Sequence, residues 1–383
     1  MKPYVHLVVD DKFIDFFCDL CEEVCPNQSL YLVISNNGAL NHIQRSDVIR
    51  CNDVNELIWG SKWHLMSHCK VLIVHYLTEE AKILIKHVPR DVIVVWSGWG
   101  GDYYTMMNGF YDWAYDDLTK MLMLRHDDNL KANSISFINK KIREWRTFKE
   151  NLKVATRIDY FSSPIPEDYE LLRKLWRGFS AKYLQLNYGS VEKTFHIGPP
   201  FIKGENILVG NSADPANNHL KVFHKLKDVD LGERLVIVPL SYGDKFYLRK
   251  VLEEGERCLG AHFMPLTNFM PIDEYTNVIS SCSTVIMNHI RQQALGNIGT
   301  MMYKGAKIAI NAKSPAFTFF AKRQADFYDI ETLFANHDWL NQALTDEQVN
   351  NNKKILDEFW GQQIVNENVK RLYSLANHDA KLQ

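Results

Sequence analysis

The sequence predicts an α/β protein of two tandem domains, each a parallel sheet covered by helices. Short β-branched apolar runs recur, among them Tyr4 to Val9, Val71 to His75, Val92 to Trp96, Ile207 to Val209 and Lys307 to Asn311, separated by segments of helical length. Strands apolar on both faces belong to parallel sheets buried between helix layers. The alternation restarts after a cluster of Gly198, Pro199, Pro200 and Gly204, and 383 residues exceed one ordinary core. The expected division is 1–195, 196–345 and a helical C-terminal segment, 346–383.

In the first domain Lys12 to Cys25 reads as a helix, and Leu30 to Ile34 as a strand closed by Ser35, Asn36, Asn37 and Gly38. Phe13, Phe17, Leu20 and Val24 recur at helical spacing with Cys21 on the same side, so the CxxCxxxC of Cys18, Cys21 and Cys25 reads as buried helix thiols. A zinc site would need a second ligand pair at suitable distance. WSGWGGD, Trp96 to Asp102, then sets glycines between two tryptophans and an aspartate. It is either a Gly-rich turn over packed indoles or a sugar-binding surface at a strand's carboxyl end. Tyr103 to Lys153 reads as helical. Its KKIREWRTFK, Lys140 to Lys149, interleaves cations with Ile142, Trp145 and Phe148, as on a solvated helix or one resting on anionic headgroups. Ile158 to Ser163 and the Pro164 to Pro166 turn close the domain.

The second domain opens on NILVGNSADPANNH, Asn206 to His219: a buried strand, a tight polar loop through Gly210, Asn211 and Ser212, and a helix start. Such a junction aims backbone N–H groups from a positive helix end and suits a phosphate or diphosphate. The strand Arg234 to Pro239, the loop Leu240 to Asp244, a Glu- and Arg-rich helix and a strand near Ala261 to Met264 follow. Ile272 to Ser281 reads as a helix and Ser283 to Asn288 as a strand. The next loop, NHIRQQALGNIGT, carries His289, Arg291, Gln292 and Gln293 and reaches Gly299 and Thr300 at an expected helix start. Arginine neutralises a diphosphate, and a Gly-Thr turn supplies N–H and hydroxyl donors. The GxxxxGK(S/T) of a P-loop is missing, as is a GxGxxG after the first strand, so ATP hydrolysis and nicotinamide chemistry are disfavoured. The expected active site is the cleft between facing strand ends.

A formal charge of −2 gives no global attraction to nucleic acid. The start, MKPYVHLVVDD, lacks the apolar region of a signal peptide, and no run approaches the roughly 18 apolar residues of a membrane span. Seven cysteines, an odd number, fit a reducing compartment. The expectation is a cytoplasmic chain without a nucleic-acid partner.

ILVGNSADPANNH, IVPLSYGD, PIDEYTNVISSC and HIRQQALGNIGT, with WSGWGGDYY in the first half, resemble the bacterial 4-acetamido-4,6-dideoxygalactose transferases, also called the 4-alpha-L-fucosyltransferase family. The resemblance implies a GT-B glycosyltransferase of two Rossmann-like domains. Its donor is a dTDP-activated amino-dideoxy sugar, and its acceptor an undecaprenyl-diphosphate-linked oligosaccharide of common-antigen or O-antigen synthesis, met at the inner face of the cytoplasmic membrane. It places Gly210, Asn211, Ser212, Arg291, Gln292, Gln293, Gly299 and Thr300 at the donor phosphates. Pro239, Leu240, Ser241 and Tyr242 fall near the nucleotide with Asp273 and Tyr275, and Trp99, Gly100 and Gly101 on the acceptor side. The C-terminal helices return to the first domain. No DxD-like pair stands in a suitable loop, so no metal or other cofactor is expected. Asp102 is the first candidate base, with a helix N-cap as its other reading, and His289 the second. A nucleotide-sugar epimerase and a non-catalytic sugar-nucleotide-binding protein are the alternatives.

Overall fold

A computed structural model describes residues 2–36, 39–104, 106–107, 113–130, 150–151, 153–176, 178–195, 202–336 and 338–377. The basic stretch Lys140 to Lys149 and the trio Gly198, Pro199 and Pro200 lie outside the described residues. The chain forms two compact units. Met1–Asn108, Ile138–Ser190 and Trp360–Gln383 make the first, and Gly109–Phe137 with Val191–Phe359 the second.

The first unit is built on a seven-stranded sheet in the order β3-β2-β1-β4-β5-β6-β7. Its strands are β1 Tyr4–Val8, β2 Ser29–Ile34, β3 Val48–Cys51, β4 Val71–His75, β5 Ile93–Ser97, β6 Tyr160–Ser162 and β7 Lys182–Tyr183. Every pairing is parallel. All residues of β1, β4 and β5 are buried, as strands covered on both faces require. The one imidazole inside β1, His6, meets His75 Nε2 at 3.0 Å and Ser29 Oγ at 3.2 Å, so its ring is satisfied within the core. Helix Ile14–Val24 buries Ile14, Phe17, Cys18, Leu20 and Cys21, and helix Gln362–Ser374 packs against it through Val365, Val369 and Leu372. Burial pushes the Cys18 and Cys21 thiols up, Cys21 to about 12, so they act as core hydrophobes.

The second unit carries a six-stranded parallel sheet, order β10-β9-β8-β11-β12-β13. Here β8 is Asn206–Val209, β9 Val236–Pro239, β10 Phe263–Leu266, β11 Cys282–Met287, β12 Lys307–Ile310 and β13 Tyr328–Asp329. Its core joins Val209, Val236, Val238 and Ile286 to Phe223 and Tyr247 of two helices, each side chain contributing about 1.5–3 kcal/mol when fully buried. Both sheets start in the middle and grow outward one way, then the other. The order reverses between β1 and β4 in the first unit and between β8 and β11 in the second, where open α/β sheets leave a crevice at their carboxyl edge. Among the described residues no helix is long and apolar enough to cross a membrane.

Candidate functional site

The loop after β8 is shaped by one forced glycine and one asparagine. Gly210 has φ +67°, and a Cβ there would lie 2.4 Å from His219 Nε2, so no larger residue fits. Asn217 accepts the Asn211 N–H at 3.2 Å and donates to the Ser212 carbonyl at 3.0 Å, which closes the loop over a buried Ser212. Asp214 caps the short turn Pro215–Asn217 by accepting the Ala216 N–H at 2.8 Å.

Two more loops lock onto this one. After β9 and the buried Leu240, Ser241 and Tyr242 are exposed. Gly243 has φ +128°, and a Cβ there would stand 2.4 Å from the Ala213 carbonyl carbon, so glycine is required on both counts. Ala213 donates to the Tyr242 carbonyl at 2.7 Å, and Asn211 Nδ2 lies 3.2 Å from the Tyr242 hydroxyl. After β11, Asn288 and Asn218 exchange amide-to-carbonyl bonds of 3.0 and 3.2 Å. Gln293 Nε2 donates to Asn211 Oδ1 at 2.8 Å, and Arg291 Nη2 to Asp214 Oδ2 at 2.8 Å. Gln292 is buried beside them. Thus Asn211, Ser212, Tyr242, Arg291 and Gln293 form one polar network at the reversal of the sheet. Asp273 is exposed in the first turn of helix Ile272–Ile279, and Tyr275 accepts from Asn297 Nδ2 at 2.8 Å. Pro239, the last residue of β9, is buried beneath its loop.

Gly299 and Thr300 do not begin the helix after β11. That helix is Leu295–Tyr303, entered from Ala294 in the left-handed region at φ +59°. Gly299 lies within it, where a Cβ would come 2.4 Å from the Phe195 ring, and the Thr300 hydroxyl donates to the Phe195 carbonyl at 2.6 Å. Both hold the preceding segment against the helix. The amides at the helix start belong to Leu295, Gly296 and Asn297, and a Cβ on Gly296 would meet open space. None of the three is among the donor-binding candidates read from the sequence.

His289 is fully buried and donates from Nδ1 to the Arg291 carbonyl at 3.0 Å, which leaves Nε2 as a bare acceptor without a partner. Burial, then the Arg291 charge, lowers its pKa to about 4, so it is neutral at pH 7. His219, absent from the sequence candidates, is also buried, with an unpartnered Nε2 and a pKa lowered by burial to about 3.

In the first unit Asp102 is a staple. Its carboxylate accepts from the Leu77 N–H at 3.0 Å, Trp96 Nε1 at 2.8 Å and the Trp99 N–H at 2.9 Å, and it is 3% exposed. Burial pushes its pKa up, while these donors pull it back. A base must present an open lone pair to the acceptor hydroxyl, and Asp102 spends its oxygens on the loop. It also does not cap the helix before Tyr103: it lies inside Gly101–Tyr104. Gly100 supplies φ +99°, Trp99 packs its ring 4.9 Å from that of Tyr188, and Gly101 is exposed beside the Tyr76 hydroxyl. At the β1/β4 reversal a 140 Å³ cavity is lined by Asp10, His75, Tyr76, Thr78 and Glu80, none of which any motif indicated. Tyr76 adopts φ +68°, unusual for a bulky residue.

Residues 199–365, which contain every loop of the β8/β11 network, match the family of 4-alpha-L-fucosyltransferases, glycosyl transferase group 56. The protein is a glycosyltransferase. Its fold is GT-B, shared along nearly whole chains with solved structures of low identity. Sucrose-phosphate synthase from Thermosynechococcus elongatus is 10% identical, with a TM-score of 0.65 over 97% of this chain and 98% of that one. HepE from Anabaena, in complex with UDP and glucose, is 10% identical, with a TM-score of 0.62 over 98% and 100%. The α,α-trehalose 6-phosphate synthase of Burkholderia multivorans is 8% identical, with a TM-score of 0.58 over 99% of each. In this glycosyltransferase the β8/β11 network supplies one guanidinium and two side-chain amides, and the helix that follows its last loop starts with three N–H groups, donors of the kind that suit an anion.

Proposed function

We propose that this glycosyltransferase moves a 4-amino- or 4-acetamido-4,6-dideoxyhexose from a dTDP-sugar to a lipid-diphosphate-linked oligosaccharide of bacterial surface polysaccharide synthesis. The observation that carries the donor side is the Arg291–Asp214 pair, whose arginine lies in the loop that leads into helix Leu295–Tyr303. On donor binding Arg291 shares its guanidinium with the diphosphate, and the N–H groups of Leu295, Gly296 and Asn297 face the same charge. Stabilising the departing nucleoside diphosphate is where such a site lowers the barrier, and these groups do so without a bound metal. His289 fixes the Arg291 backbone from a buried position and serves as a positioning residue. Asn211, Gln293 and Tyr242 hold the rim of the nucleotide pocket. The UDP complex of HepE, a neighbour in fold, is consistent with a nucleotide-sugar donor.

Association with the inner face of the membrane is supported by an aromatic surface on the first unit. Trp59 and Trp63 are 68% and 56% exposed, with Lys62 between them and the His87 ring 4.9 Å from that of Trp59. Exposed indole rings, amphipathic in themselves, suit the headgroup region of a bilayer.

The testing experiment is calorimetric titration with dTDP, UDP, GDP and ADP, with and without chelator, followed by assay of dTDP release from dTDP-sugars with and without lipid-linked acceptor. Chelator-resistant dTDP binding and acceptor-dependent release are expected. Failure to bind dTDP removes the donor assignment, and conversion of the dTDP-sugar to an isomer with neither acceptor nor dTDP release favours an epimerase.

A further inference from the structure

On the second unit, helices His219–Leu226 and Lys245–Leu259 pack side by side and bring together three side chains that the nucleotide reading does not use. Glu254 and Cys258, four residues apart, project from one helix face, and His224 meets them from the other helix. Their candidate ligand atoms all lie within 4.8 Å of one another, with Cys258 Sγ 3.6 Å from Glu254 Oε1 and His224 Nε2 hydrogen-bonded to the same oxygen. A tetrahedral zinc ion with bonds of about 2.0–2.3 Å holds its ligand atoms roughly 3.3–3.7 Å apart. The cluster therefore closes on such an ion through side-chain rotation of about 1 Å, between two helices already fixed by packing.

A positive group stands at this spot. The Arg257 guanidinium donates to Glu254 Oε2 at 2.9 Å and lies 3.3 Å from His224 Nε2 and 3.5 Å from Cys258 Sγ. Its side chain is 57% exposed and can swing into solvent. We propose that His224, Glu254 and Cys258 form a binding site for a divalent cation of the zinc class, with water as the fourth ligand and Arg257 as the competing cation. The nitrogen, oxygen and sulfur donor set selects a borderline-soft ion over magnesium or calcium. The ion would link the two helices that follow the loops after β8 and β9, and so brace the second unit away from the transfer chemistry.

The test is titration of the full chain, stripped by chelator, with Co²⁺ and then Zn²⁺ in competition. The absorption band of a cobalt–thiolate bond and the melting temperature are the readouts. Wild type should develop the band, lose it to Zn²⁺ and melt at a higher temperature with either metal. Cys258→Ser should abolish the band, and His224→Ala should weaken binding at least about tenfold. Arg257→Ala should tighten it severalfold, which a purely structural role for the cluster does not predict. Cys25→Ser, a control in the first unit, should leave the band unchanged. No band in either wild type or Arg257→Ala, or an undiminished band in Cys258→Ser, overturns the assignment.

Discussion

Arg291→Ala tests the donor site most directly. The guanidinium reaches Asp214 at 2.8 Å, with 13% of the arginine and 36% of the aspartate side chain exposed. Removing it has two effects on a bound diphosphate. A charge-assisted hydrogen bond contributes about 1.5–3 kcal/mol. Asp214 is also left as an unpaired anion facing the phosphates, which costs about 1 kcal/mol after solvent screening. Together they predict dTDP binding weakened by roughly two to three orders of magnitude. The two parts separate in the double variant Arg291→Ala/Asp214→Asn. Asparagine keeps an oxygen for the Ala216 N–H and removes the charge, so affinity should recover about fivefold over the single variant. Calorimetry at fixed ionic strength, with circular dichroism to confirm folding, measures both. A folded Arg291→Ala protein that binds dTDP within about threefold of wild type refutes the placement of the diphosphate here.

Gly299→Ala should cost about 1–3 kcal/mol in urea unfolding by driving a methyl into the Phe195 ring, with donor affinity unchanged. Weaker donor binding at unchanged stability would return Gly299 to the phosphate site. Asp102→Asn should destabilise the first unit by about 1–3 kcal/mol through the lost acceptor, while the transfer rate per folded molecule holds. A collapse in rate with stability intact would make Asp102 the base after all. His289 and His219 are held neutral in the folded unit, pushed down to about 4 and 3, whereas unfolded they titrate near 6.5. Below that value the unfolded chain binds more protons, so their contribution is complete above about pH 6.5. It falls by up to about 2.7 kcal/mol per pH unit as pH drops towards 4. Urea midpoints of the second unit at pH 7, 6 and 5 should decline accordingly, and a flat profile would mean that these imidazoles are hydrated.

The central strands were legible because burial on both faces leaves them almost no polar positions, as VLIVH, with only its last residue polar, and VIVP show. The edges were not. VIRC of β3 is half-buried and carries Arg50, whose guanidinium turns back to the Ser35 carbonyl, while β7 is only Lys182–Tyr183. A short strand paired on one side has neither the length nor the apolar run that distinguishes a strand from a loop. Periodicity also carries no strand order. The reversals at β1/β4 and β8/β11 emerge only from the pairing, and with them the reason why Asp10 and His75, distant in sequence, line one cavity.

The polar loops after β8, β9 and β11 could be found because glycine and amide residues directly follow buried strands, yet the helix after β11 was entered too late. Ala294 takes φ +59° without a side-chain cap, where glycine or asparagine would announce a left-handed turn and serine or aspartate a helix start. With that signal silent, Gly299-Thr300 looked like the beginning, although there glycine answers a different demand, the approach of an aromatic ring from Phe195. Asp102 misled for a related reason. A carboxylate in a Gly-rich loop looks presented to solvent, but its three donors come from Leu77, Trp96 and Trp99, and only the folded sheet brings Leu77 within reach. Composition reveals that a loop is polar. Whether its polar groups face a ligand or one another depends on partners such as Asp214 for Arg291, 77 positions away. In the proposed donor site that pairing divides the labour of the loop: the aspartate holds the guanidinium in one place, so a diphosphate bound there would meet a cation already fixed rather than one ordered on binding.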